Sequence, residues 1–157
     1  MFYFWYRFVM DNTSAIVRGA TELVYKRIEA QLSDYMGRVF EDICTQYLWK
    51  QLLTGNSPIE FVSLGRWWGN NPKARRQEEI DIMSVMDKSA FFGECKWRRE
   101  KVDISVIETL IDKGELFVYS EKYYYLFSKS GFQDDAIEYA EKNRNVKLIT
   151  FDEMCAI

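Results

Sequence analysis

Two apolar runs with a short polar break between them constrain this chain most: Ile80-Asp81-Ile82-Met83-Ser84-Val85-Met86, then Ala90-Phe91-Phe92-Gly93-Glu94-Cys95-Lys96-Trp97, joined through Asp87-Lys88-Ser89. Runs of this length and composition read as strands, and the polar break reads as a hairpin turn. Side chains alternate faces along a strand, so Glu94 and Lys96 point one way and Cys95 the other. The second strand is apolar and aromatic up to Glu94, and burying charged groups there without a purpose costs free energy. Antiparallel pairing brings Asp81 close to Glu94. Two carboxylates with a lysine beside them form an oxygen-ligand site suited to Mg²⁺ or Mn²⁺. The lysine is placed to steer or deprotonate a water.

Composition removes most other chemistry. Histidine is absent, which excludes Ser-His-Asp and Cys-His catalysis and His-ligated zinc. Cys44, Cys95 and Cys155 are widely spaced in apolar surroundings and read as reduced, buried thiols, not as a zinc site. The 157 residues are 48% hydrophobic and 17% aromatic, enough to bury one core. No linker, repeat or low-complexity stretch divides them. The expectation is a single domain over residues 1–157, with an aromatic segment and helix over 1–32 and the core over 33–157.

The run from Met1 to Met10 lacks the basic start and small-residue cleavage site of an export signal and is too short to cross a bilayer. It reads as an aromatic strap packed on the body, or as a surface for another domain or a second copy in a homodimer. No other segment reaches membrane length, so the expected location is the cytoplasm. The net charge of −3 is unevenly spread. From Gly65 to Lys101 nine basic residues face six acidic ones, so this segment carries about +3 and the rest about −6. A cationic rim around an acidic, metal-ready centre suits phosphodiester chemistry, because phosphates are held by Arg and Lys while the metal needs carboxylates. Arg66, Lys73, Arg75, Arg76, Arg98 and Arg99 are the candidate phosphate contacts, and Trp67 is the candidate for stacking on a splayed base. The plain alternative is a solvated surface.

Along the chain, helical spacing runs from about Ser14 to Leu53 with a break around Leu32-Ser33-Asp34, where Ser33 or Asp34 would cap a second helix. Thr54-Gly55-Asn56-Ser57-Pro58 stops it. Ile59–Leu64 reads as a strand and Gly65–Gln77 as a loop. After the two strands already described come a helix capped by Asp103 and ending near Glu115, a strand over Lys122–Phe127, a helix over Gln133–Asn143 and a strand over Val146–Phe151. Three antiparallel strands followed by strand-helix-strand crossovers make an α/β fold, with a mixed central sheet flanked by helices.

That order, with Glu41 on the first main helix, Asp81 on the second strand and Glu94-Cys95-Lys96 on the third, resembles the PD-(D/E)XK nuclease superfamily and its restriction-endonuclease-like sheet. Over nearly the whole chain, the strings Phe-Trp-Tyr-Arg-Phe-Val, Tyr-Met-Gly-Arg-Val-Phe-Glu, Gly-Arg-Trp-Trp-Gly, Glu-Glu-Ile-Asp-Ile-Met, Gly-Glu-Cys-Lys-Trp and Phe-Ser-Lys-Ser-Gly-Phe resemble the C-terminal domain of unknown function of archaeal-type AAA+ ATPases. The resemblance implies that Asp81, Glu94 and the Cys95 carbonyl hold Mg²⁺ or Mn²⁺, that Lys96 positions the attacking water, and that Glu41 orients the site or helps a second metal. It further implies an ATPase domain upstream or on another chain. No Gly-x-x-x-x-Gly-Lys-[Ser/Thr] phosphate loop occurs here, so ATP hydrolysis does not reside in these residues. The expected function is a metal-dependent nuclease-like domain that binds nucleic acid and cuts phosphodiester bonds. The alternative is a non-catalytic DNA- or protein-interaction module of an ATPase.

Overall fold

The computed structural model describes residues 2–72 and 74–156 and divides into two compact units, residues 1–36 and 37–157. In the first unit the aromatic start is coiled into short helical pieces: α1 (Phe2–Phe4), a π-helical turn (Trp5–Val9), a 3₁₀ turn (Met10–Asn12) and α2 (Thr13–Val17). Gly19, at φ +77°, reverses the chain into α3 (Thr21–Leu53). Phe8 is buried and meets the Tyr35 ring edge-on at 5.3 Å, and the Asn12 amide donates to the Phe8 carbonyl at 2.9 Å. Phe2, Tyr3, Trp5 and Tyr6 remain exposed.

The expected break at Leu32-Ser33-Asp34 does not occur, because α3 runs unbroken from Thr21 to Leu53. The three residues include neither glycine nor proline. Ser and Asp inside an exposed helix face cost only a few tenths of a kcal/mol each, about the spread of ordinary propensities, and a helix already formed on both sides absorbs that. Gly55, at φ +74°, follows its end as the stop signal requires.

The second unit is built on a five-stranded sheet in the order β1 (Gly65–Asn71), β2 (Arg76–Met86), β3 (Ser89–Lys96), β4 (Glu121–Ser128), β5 (Val146–Thr150). β1, β2 and β3 pair antiparallel, whereas β3, β4 and β5 pair parallel. Helices α4 (Ile104–Gly114) and α5 (Asp134–Lys142) make the two crossovers, and α6 (Phe151–Cys155) closes the chain behind a capping box of Thr150 and Glu153. The Asp103 side chain accepts from the Ser105 amide and caps α4. This is the α/β fold with a mixed central sheet flanked by helices that the order of elements predicts.

Each face of the sheet has its own core. Phe40, Cys44 and Leu48 of α3 pack on Phe91, Phe127 and Ile149. On the other face Ile107 and Leu110 of α4 and Ala136 of α5 pack on Phe92, Tyr124 and Leu126, where the Phe92 and Tyr124 rings stack at 5.4 Å. Residues 59–64 are not a strand, and the first strand is Gly65–Asn71 instead. Ile59 and Phe61 are anchors buried in the α3 core, with Phe61 edge-on to Trp49 at 5.0 Å. Gly65–Asn71 is polar because it is an edge strand, and its burial still alternates, with Trp67 turned in and Trp68 out. Among the described residues no helix is long and apolar enough to cross a membrane.

Candidate functional site

The site forms where the β1–β2 ladder slips. Between the pairs Gly65–Met83 and Trp67–Ile80, β1 advances two residues and β2 three, so Asp81 and Ile82 together oppose Arg66. That is a β-bulge, which bends a strand and re-aims its side chains. Packing records the result: Ile80 lies in the α4 core and Ile82 in the α3 core, although residues two apart on a regular strand share a face. Asp81 sits at the switch. It lies one position, and Cys95 two, beyond the last ladder pair, Ile82–Gly93, and its Oδ2 accepts from the Cys95 amide at 2.8 Å. Gly93 lets the strands approach this closely, since a Cβ there would come within 3.1 Å of the Ile82 Cβ.

Glu94 points to the α4 side and is only 7% exposed. Two ammonium groups divide its carboxylate. Lys96 Nζ donates to Oε1 at 2.5 Å, and Lys113 Nζ, from the last turn of α4, donates to Oε2 at 3.1 Å. Lys113 was not anticipated from the sequence. Its signal was present, because it lies three residues after Leu110 and continues the apolar stripe of an amphipathic helix, a place where lysine is rarely buried without a partner.

Electrostatically these groups are one cluster. Burial, then the Glu94 charge, push the Asp81 carboxyl up to about 6; Glu41 adds to the rise, while the Cys95 amide and Lys96 oppose it. Burial and a hydrogen bond with the Cys44 thiol push the Cys95 thiol well above its ordinary value. Glu41, half-buried on α3, is ion-paired with Arg66, whose other terminal nitrogen lies 2.9 Å from Glu79. The bond to Glu41, with Glu79 and Asp81 nearby, raises the Arg66 guanidinium above its ordinary value.

The structure thus gathers Asp81, Glu94, Lys96 and Cys95 at the bulge, with Glu41 close enough for its charge to act on Asp81. Among the described residues no three Asp, Glu or Cys side chains form a group that could hold a metal. A divalent cation here would take Asp81 and Glu94 as its side-chain ligands and complete its shell with main-chain oxygen and water, the usual habit of Mg²⁺. The donor set fits in one physical respect: burial and the Glu94 charge raise the Asp81 carboxyl by more than Lys96 and the Cys95 amide lower it, an imbalance that a cation would offset.

The rim is more mixed than the sequence suggests. Trp67 is packed edge-on against Phe117 at 5.0 Å, so its ring belongs to the core, and the exposed ring is Trp68, 72% accessible. Alternation along an edge strand turns two adjacent tryptophans to opposite faces, and packing against Phe117 decides which is buried. Arg66 is engaged by carboxylates and Arg76 bonds Glu78 at 2.7 Å. Arg75 and Arg99 are exposed, and Arg98 is half-buried with its Nε lacking a hydrogen-bond partner. Lys73 lies outside the described residues.

The profile of a family described as archaea bacterial proteins of unknown function, DUF234, matches residues 5–107. An uncharacterized protein of Methanocaldococcus jannaschii, MJECL04, is 31% identical over 132 residues, which cover 80% of this chain. The chain spans 28% of that relative's length. Among solved structures, a protein of unknown function, AF1548, overlaps 70% of this chain and 59% of its own at 17% identity and a TM-score of 0.41. A repair endonuclease from Pyrococcus abyssi overlaps 71% of this chain and 46% of its own at 16% identity and a TM-score of 0.42.

Proposed function

Because the chain belongs to the DUF234 family, whose function is unknown, membership brings no activity with it, and we propose one from the site: a metal-dependent nuclease-like domain that binds nucleic acid and hydrolyses phosphodiester bonds. The observation that carries the proposal is the meeting of Asp81 with Glu94 and Lys96 at the β2 bulge, where the Glu94 charge raises the Asp81 carboxyl. Asp81 and Glu94, with the Cys95 carbonyl, would hold Mg²⁺ or Mn²⁺. A cation bound there supplies a water of lowered pKa and neutralises phosphate charge.

The chain's own groups do the rest. Lys96 Nζ, on a side chain 30% exposed, leaves Glu94 Oε1 and orients the attacking water. Glu41 and Arg66 brace the α3 side of the bulge through their ion pair. Exposed Arg75 and Arg99 meet phosphates, and Trp68 takes the stacking role on the outer face of β1. The ATPase partner, on the same chain or another, belongs to the same proposal, as does a cytoplasmic setting.

The test has two arms. Mn²⁺ or Mg²⁺ should raise the melting temperature of the wild type and do so much less for Glu94→Ala, because a ligand that binds only the folded state stabilises it. Metal-dependent nicking of DNA or RNA should vanish in Lys96→Ala while the fold persists. A specific observation favours the non-catalytic alternative, namely that both Glu94 oxygens are already satisfied by lysines. No metal-dependent shift in the wild type would select that alternative.

A further inference from the structure

Glu94 draws one lysine from each of two elements, and the two differ. Lys96 stands two residues along the same strand with its side chain 30% exposed, whereas Lys113 comes from α4 with its side chain 11% exposed, as dry as the 10% of Glu94 itself. Packing fixes Lys113. Leu110, one turn before it, is fully buried, and Gly114, next to it, lies so near Tyr124 that a Cβ would fall 2.6 Å from the hydroxyl. The last turn of α4 is therefore pinned to the sheet. Lys113 cannot follow a displaced Glu94, and without Glu94 its charge would be left buried and uncompensated.

The geometry points to Lys113 as a positioning residue that holds Glu94 Oε2 from the buried side, so that Oε1 faces outward and Lys96 is free to leave it when a cation arrives. The inference rests on the metal site proposed above. A carboxylate with one oxygen tied down keeps one orientation. Without Lys113, Oε2 has lost its partner in a dry environment, and the carboxylate turns both oxygens to Lys96. That closed pair must be broken before a cation can bind, and it keeps Lys96 from the water.

The experiment titrates Mn²⁺ alone into the purified chain by calorimetry, using the wild type, Lys113→Met and Lys113→Arg. Lys113→Met should weaken Mn²⁺ binding by about tenfold or more, the cost seen when a metal ligand loses the partner that orients it. Lys113→Arg should restore most of the affinity, which a merely space-filling role would not require. Wild-type or tighter affinity in Lys113→Met overturns the inference alone, whereas no Mn²⁺ binding by the wild type overturns the metal site and the inference together. Should Lys113→Met fold poorly, the comparison is Glu94→Gln with and without Lys113→Met. The second change should recover stability lost in the first, and failure to recover it refutes the Lys113–Glu94 pairing.

Discussion

Replacing Asp81 by Asn tests the central electrostatic claim without any assumption about activity. The Asp81 carboxyl moves from an ordinary 3.8 to about 6 in the fold, a difference worth about 3 kcal/mol. The folded protein holds this proton more tightly than the unfolded chain does. The carboxyl therefore favours folding below its ordinary value, and that contribution is lost as pH rises through about 6. Asn stays neutral throughout and keeps an oxygen for the Cys95 amide. At about pH 8 Asp81→Asn should exceed the wild type by up to 3 kcal/mol, or roughly 6–12 °C in melting temperature for a chain of this size, and the two should converge only below the ordinary carboxyl value of 3.8. Thermal denaturation followed by circular dichroism across that range measures the gap. Parallel curves, or a variant weaker than the wild type at the alkaline end, would refute the claim that burial and Glu94 act on Asp81. Added Mn²⁺ should narrow the gap at about pH 8 by stabilising only the wild type, since the cation replaces the proton.

Other expectations follow from packing and exposure. Trp67→Ala should cost about 3 kcal/mol in urea denaturation, and Trp68→Ala should stay within about 0.5 kcal/mol; equal costs would refute their assignment to core and surface. Gly114→Ala should lose about 1–3 kcal/mol from overpacking. A Tyr124→Phe background should relieve it only in part, because a ring carbon still lies 2.7 Å from the new Cβ. With an aromatic disulfide reagent under native conditions, Cys155 alone should react promptly, because Cys44 is buried and the Cys95 thiol is pushed up. A second fast thiol would contradict the burial of that pair.

What could be read before the fold was known follows local rules. The β2–β3 hairpin was legible from two apolar runs and a polar break, and its turn is made by Asp87 at φ +36° and Lys88. The α4 helix was legible from its cap and stripe. The pairing of Glu94 with Lys96 needed only the period of a strand. Sequence and structure part where the deciding partner is distant in sequence. Ile59–Leu64 has strand composition yet serves as an anchor under α3, while Gly65–Asn71 has loop composition yet pairs with β2 along its edge. The helix α3 is longer than its sequence suggests because Ser33 and Asp34 are good caps only where a helix has reason to start.

The chain carries in its own order the residue kinds and periods that specify strands, helices and a carboxylate–lysine pair, since propensity and alternation act between near neighbours. Folding alone supplied the bulge that turns Asp81 toward the Cys95 amide, the helix that delivers Lys113 to Glu94, and the choice of Trp67 over Trp68 for the core. Each depends on groups far apart in sequence coming into contact, and no local rule encodes which distant group will arrive or from which side.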